Sequence, residues 1–186
     1  ALLWLKHEDA RWLPGSLWKG FSRLLLNDPR HAAKHAMLDL LAERENANSL
    51  LERTLQACRE AIRSDGMIWG MASYALANQG LYWSMPHWLA DWAQRTDIPA
   101  WGLNNLALGL RATGRDELAA DVSHKSLEQM PENHEAMIWL AADAARHADM
   151  QALRVWQSRY QGAQLRPYFA CMQHMLDGYA EAVEHG

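Results

Sequence analysis

No apolar run in this chain approaches the roughly 18 residues that a membrane-spanning helix needs, which argues against a membrane partner. No long alternation of apolar and polar residues runs between turns, so no strand pattern competes with helix. Cysteine is scarce: Cys58 and Cys171 are the only two. Both fall on apolar faces of predicted helices, far apart in the chain, and are expected to be buried free thiols rather than a disulfide. Unpaired thiols fit a reducing compartment, so a cytoplasmic location is expected. Positive charge is not in excess either. Lys and Arg number 18 against 22 Asp and Glu, for a net charge of −4. That balance argues against a phosphate-tracking surface and therefore against a nucleic-acid partner.

Motifs that carry chemistry are missing too. There is no G-x-S-x-G elbow, no Walker loop and no G-x-G-x-x-G fingerprint. His134-Glu135 begins like H-E-x-x-H, but Ile138 stands at the second histidine place. His7-Glu8 fails in the same way, with Arg11 there. His31 and His35 are four apart and share a predicted helix face, yet no third ligand lies at suitable spacing. No metal and no cofactor is expected. Ser123 and His124 are neighbours, which on a helix points them about 100° apart, a poor geometry for nucleophile and base. Glu43 and Glu45 read as solvated carboxylates. No catalysis is expected within this stretch. The first residues, Ala1 to Asp9, lack an initiator Met and carry charge too early for a signal peptide. The sequence therefore reads as a segment of a longer chain.

What the chain does have is an ordinary globular composition and a period. Hydrophobic residues make up 49% and charged residues 22%, and 186 residues suffice for one sizeable core. The ten tryptophans fill core or interface space by default and name no ligand on their own. Trp69, Leu103, Met137 and Cys171 follow one another at steps of 34 residues. Gly80 and Gly114 are one such step apart, and Pro29 and Pro131 are three. Unit starts then fall at Ala32, Gly66, Ala100, His134 and Tyr168. The units cover about residues 1–31, 32–65, 66–99, 100–133 and 134–167, with a terminal helix in 168–186.

The unit beginning at Ala100 is the most regular. Leu103, Leu106-Ala107 and Leu110 lie on one helix, Gly114 at the turn, Ala119 on the second helix, and Pro131 at its close. Ala107 and Ala119 are small, as a close helix crossing demands. Gly114 takes a positive φ at a helix end without a Cβ clash. Asp116 suits the positive end of the next helix dipole. Pro131 has no backbone N–H to continue the helix. This pattern resembles the tetratricopeptide repeat, with Leu103 at the usual Trp place, Leu106-Ala107 for Leu-Gly and Leu110 for Tyr. The other units follow by register. One keeps Trp69, Ala72-Ser73, Leu76 and Gly80, but has Met85 and Trp92 where small residues are usual. Another keeps Leu38, Ala42 and Leu51, with Asn46 in the turn place and Asp39 where a small residue is expected. The unit from His134 keeps Met137, Leu140-Ala141 and Ala144, and Ala148 replaces the turn glycine. Phe21, Leu24 and Pro29 close an earlier second helix.

The resemblance implies an all-α, right-handed α-α superhelix of about five helix-turn-helix units plus a C-terminal capping helix. The last helix carries an apolar stripe of Tyr168, Met172, Met175, Leu176, Tyr179 and Val183, with Asp177, Glu181 and Glu184 mostly off it. It is expected to cover the last hairpin and turn a polar face to water.

In that family the first helix of each hairpin lines a concave face. Carried over by position, the inward residues are Met67, Tyr74 and Asn78, then Trp101, Asn104, Leu108 and Arg111, then Ile138 and Arg146. Aromatic anchors, amides and arginines suit a peptide or a partner helix. The implied function is a non-catalytic protein-interaction or scaffolding module. One alternative is a structural spacer packed against a catalytic domain of the same polypeptide. Another, an RNA-binding helical repeat, sits poorly with the acidic balance. Trp83, Trp88 and Trp92 cluster on the second helix of the unit from Gly66. They read either as packing against the neighbouring unit or as an exposed docking patch. A clamp for the C-terminal carboxylate of a heat-shock chaperone is not expected. The family's clamp uses Lys and Asn, then Asn, then Lys and Arg. The matching places here hold Gly70 and Tyr74, then Asn105, then Glu135 and Trp139.

Overall fold

The computed structural model describes residues 31–42 and 48–185, and among these residues all regular structure is helical. In chain order the helices are α1 (His31–Ala42), α2 (Asn48–Ala57), α3 (Arg59–Ser64), α4 (Gly66–Asn78), α5 (Met85–Trp88), α6 (Ala100–Ala112), α7 (Asp116–Gln129), α8 (His134–Arg146), α9 (Met150–Tyr160) and α10 (Pro167–His185). Short 3-10 turns at Tyr82–Ser84 and Trp92–Gln94 flank α5. The expectations resting on Phe21, Leu24 and Pro29, on Glu43, Glu45 and Asn46, and on the His31 and His35 side chains lie outside what is described. Among the described residues, no helix is long and apolar enough to cross a membrane. Among the same residues, no three His, Cys, Asp or Glu side chains are grouped to hold a metal.

α4, α6 and α8 begin at Gly66, Ala100 and His134, the three starts read from the 34-residue spacing. Local chemistry sets these starts. Asp65 precedes α4 and accepts from Ile68 N–H at 2.9 Å, and Asn133 precedes α8 and accepts from Ala136 N–H at 3.4 Å. The three helices also end alike. Leu76, Leu110 and Ala144 carbonyls each accept from the N–H five residues on, at Leu81, Arg115 and Asp149, all at 2.9 Å. The residue before each of those donors is left-handed: Gly80 (φ 67°), Gly114 (φ 73°) and Ala148 (φ 55°). Only Ala148 carries a Cβ into that conformation, which costs about 1–2 kcal/mol. Ala148→Gly is therefore expected to raise the unfolding free energy by about 1 kcal/mol, after allowing for the looser unfolded chain. A urea titration checks this, with Gly114→Ala moving the midpoint the other way.

Each first helix packs on its successor in the chain, α6 on α7 and α8 on α9, and α4 packs between α1 and α6. The crossing of α4 and α6 is close because Gly70 and Gly102 face each other. A Cβ on Gly102 would lie 3.0 Å from the Gly70 Cα, and one on Gly70 would lie 2.8 Å from the Trp101 ring. The apolar core is in two parts. One runs from Met37 to Val122 around Trp69, Leu76, Leu103 and Leu106. The other runs from Leu127 to Ala180 around Ile138, Leu140, Leu153 and Tyr160. The division falls within α7, between Val122 and Leu127.

Three expectations need correction. Trp83, Trp88 and Trp92 do not share a helix: the chain there makes two 3-10 turns and the four-residue α5. Bulk is the reason. Met85 is fully buried, and its Sδ occupies the space that a Cβ on Gly109 would need, 2.1 Å away. Polar ties then hold the chain off a helical path. Trp69 Nε1 donates to Asp91 at 3.0 Å, and Arg95 Nη1 donates to the Ile62 carbonyl at 2.6 Å. Second, Cys58 is buried but Cys171 is exposed. Burial pushes the Cys58 thiol up to about 11, against a weaker pull from Lys34. Third, α10 packs through Phe169, Leu176 and Ala180, and leaves Tyr168, Met175, Tyr179 and Val183 exposed. Of the predicted stripe, Leu176 and Met172 turn inward and the other four face solvent, because the packed side of the helix is centred about a quarter-turn from Met175 and Tyr179.

Candidate functional site

The nine residues read from sequence as an inward face divide into an apolar step and a polar seam. On α4, Met67, Gly70 and Tyr74 follow at three- and four-residue spacing and so share a side. Trp101, in the first turn of α6, lies over Gly70. The absence of a side chain at Gly70 lets the indole rest there. Met67 is 49% exposed and Trp101 39%, while Tyr74 and Leu108 are half-buried. Asn78 is exposed in the last turn of α4. Together these residues form an apolar step bridging two helices, with an amide at one end.

The other four candidates do not extend that step. Ile138 is fully buried in the second core. It carries a β-branched apolar side chain on the side of α8 that packs, so it cannot contact a ligand. Asn104 is bound up between helices. Its Oδ1 accepts from Asn133 Nδ2 at 2.8 Å and from Ser126 Oγ at 3.2 Å, and its Nδ2 faces Glu135 Oε2 at 3.4 Å. Arg111 is only 6% exposed and pairs with Asp143 at 2.7 Å, while its guanidinium carbon sits 4.9 Å from the centre of the Trp139 ring. Arg146 binds the other oxygen of Asp143 and also Asp116, the latter at 3.0 Å. The two arginines meet on one carboxylate, and neither is free to grip a partner.

This polar set joins the two cores. Asn104 and Arg111 reach from α6 to α8, while Ser123 and Ser126 of α7 accept or donate along the same line. Sequence reading missed its central residue, Asp143. The available signal was a carboxylate in the second half of α8, between alanine pairs, on a helix otherwise apolar from Ala136 to Ala145. Glu135, which would repel a carboxylate in a chaperone clamp, accepts from Arg166 Nε at 2.7 Å.

A separate aromatic group lies on the irregular segment. Trp83 is 74% exposed, and Trp88 stacks beneath Arg59, whose guanidinium carbon is 4.8 Å from the ring centre. His87 meets the same indole edge-on at 5.2 Å. No protein-family model, curated protein or solved structure matches this chain.

Proposed function

We propose that the chain is a non-catalytic interaction or scaffolding module, built as a right-handed superhelix of tetratricopeptide-like hairpins. The recurrence of one turn geometry at Gly80, Gly114 and Ala148 supports the repeat reading. The observation that carries the functional reading is Trp101 seated on Gly70 beside exposed Met67. Large apolar side chains held on rigid helices are the usual anchors of a protein interface, each contributing on the order of 2 kcal/mol. The ligand is an apolar peptide or partner helix lying across α4 and α6. Met67, Tyr74, Trp101 and Leu108 contact it, and Asn78 hydrogen-bonds at the edge.

A displayed library of extended and helical peptides tests this. Peptides selected on the intact chain should lose roughly 30-fold in affinity on Trp101→Ala, with unchanged helical circular dichroism. Met67→Ser should weaken them as well, and Trp83→Ala should not. The reading fails if selected peptides bind Trp101→Ala normally. If they instead lose binding on Trp83→Ala, the outer aromatic group is the working surface. That result would favour the spacer reading, in which Trp83 and Trp88 pack against a catalytic domain of the same polypeptide.

A further inference from the structure

We infer that the crossing of α6 and α8 is a movable joint: α8, α9 and α10 swing together on α7, and Asp143 with its two arginines is the latch that holds them closed. The observation is one of register. Going back 34 residues from the side chains that bridge α6 and α8 gives the corresponding places at the crossing of α4 and α6. Asn104 and Ala136 correspond to Gly70 and Gly102, and Arg111 and Asp143 correspond to Ala77 and Gly109. At the earlier crossing the two glycines bring the backbones together. Asn105 Nδ2 donates to Ser73 Oγ there at 3.3 Å, but no charge takes part. At the later crossing the two helices lie further apart, and polar side chains reach across. Asn104 meets Asn133 and Glu135, and Arg111 meets Asp143.

The two crossings differ in what it costs to open them. Parting α4 from α6 would expose Trp69, Leu76, Leu103 and Leu106, which lie in one apolar core. The buried apolar residues of α6 and α8 belong to separate cores. Parting α6 from α8 exposes a carboxylate, guanidinium groups and amides, all of which water solvates. A buried ion pair regains on opening much of the hydration it gave up on closing.

The axis follows from how α8 is held. Along α7 the contact is apolar: Leu127 and Ala120 pack in the same core as Ala136 and Leu140. Along α6 the contact is polar. The apolar edge stays closed and the polar edge opens, with the chain crossing once, at the turn from Met130 to Asn133. Arg154 to Glu184 and Gln157 to Asp177 tie α10 to α9, so the three helices move as one body. The step formed by Met67 and Trp101 lies on the close crossing and keeps its shape as α8 moves. The joint holds whether or not that step binds a ligand.

Nitroxide labels on pairs of introduced cysteines, read by pulsed electron paramagnetic resonance on the intact chain, test the joint. Cys171→Ser removes the exposed native thiol, and Cys58 is buried. Met67, Leu118, Val155 and Val183 are all exposed and take the labels. The pair Met67→Cys with Val155→Cys spans the joint. Met67→Cys with Leu118→Cys lies on one side of it, and Val155→Cys with Val183→Cys on the other. The spanning pair should give a broader distance distribution than either control, with a second, longer distance. Arg146→Ala, at a half-exposed position, removes one side of the latch and should shift weight to the longer distance while both controls stay unchanged. Arg111→Met with Asp143→Leu makes the joint apolar and should narrow the spanning pair to the width of the controls. A spanning pair as narrow as the controls in the native chain overturns the inference. So does an Arg146→Ala chain that leaves the spanning distribution unmoved, or one that broadens the controls as much.

Discussion

Asp143→Ala is expected to lower the unfolding free energy by about 3–5 kcal/mol. The carboxylate is 12% exposed and its main partner, Arg111, 6%. Deleting it leaves the Arg111 guanidinium buried over Trp139, with only the Ser123 hydroxyl at 3.3 Å in reach. Arg146 loses its inner partner as well but is half-exposed and can turn to water. Most of the loss is therefore the cost of a buried uncompensated cation, not the strength of the pair. The control follows from that division. Arg111→Met combined with Asp143→Leu removes both charges and refills the space with apolar atoms, and should recover most of the stability. Urea unfolding of the three variants decides the matter. A single-variant loss under about 1 kcal/mol would mean that water already solvates the pair. Because the pair spans α6 and α8 where the two apolar cores meet, Asp143→Ala should also broaden the transition if the halves begin to unfold separately.

Ala119→Trp is the second large effect, expected to cost about 1–3 kcal/mol or more. Ala119 is fully buried on α7, against α6. Ala107 on α6 is nearly as buried, so small residues line the crossing from both sides. An indole there has no cavity to enter and must push the helices apart. The denaturation midpoint should fall with the urea dependence unchanged. An unmoved midpoint would mean that α6 and α7 do not approach closely, which would undercut the hairpin itself.

The helices were legible because their signals are local. The 34-residue step is the length of two helices and two turns, and turn chemistry repeats within it. Asp65 and Asn133 cap the helices that follow them, and Gly80 and Gly114 take the left-handed position that ends a helix. Even the exception at Ala148 keeps the geometry, because the hydrogen bonds around it outweigh one strained residue.

The irregular stretch from Tyr82 to Gln94 was not legible as such. Met85 and Trp92 were visibly too large for their places. Where Met85 packs depends on Gly109, which is distant in sequence and opposite in space.

The surface divides along the same line. Sequence by itself determined where α4, α6 and α8 start, the turns that end them, and which side chains share a face, since all of these depend on backbone spacing over a few residues. Only the tertiary structure decided what each face meets. It spent Arg111, Arg146 and Asn104 on partners inside the chain, buried Ile138, and left Trp101 open on Gly70. It also turned α10 so that Phe169, Leu176 and Ala180 pack while Met175 and Tyr179 face out. A helical stripe marks a side chain's direction but not its neighbour, and neighbours are set by contacts between residues that the chain holds far apart.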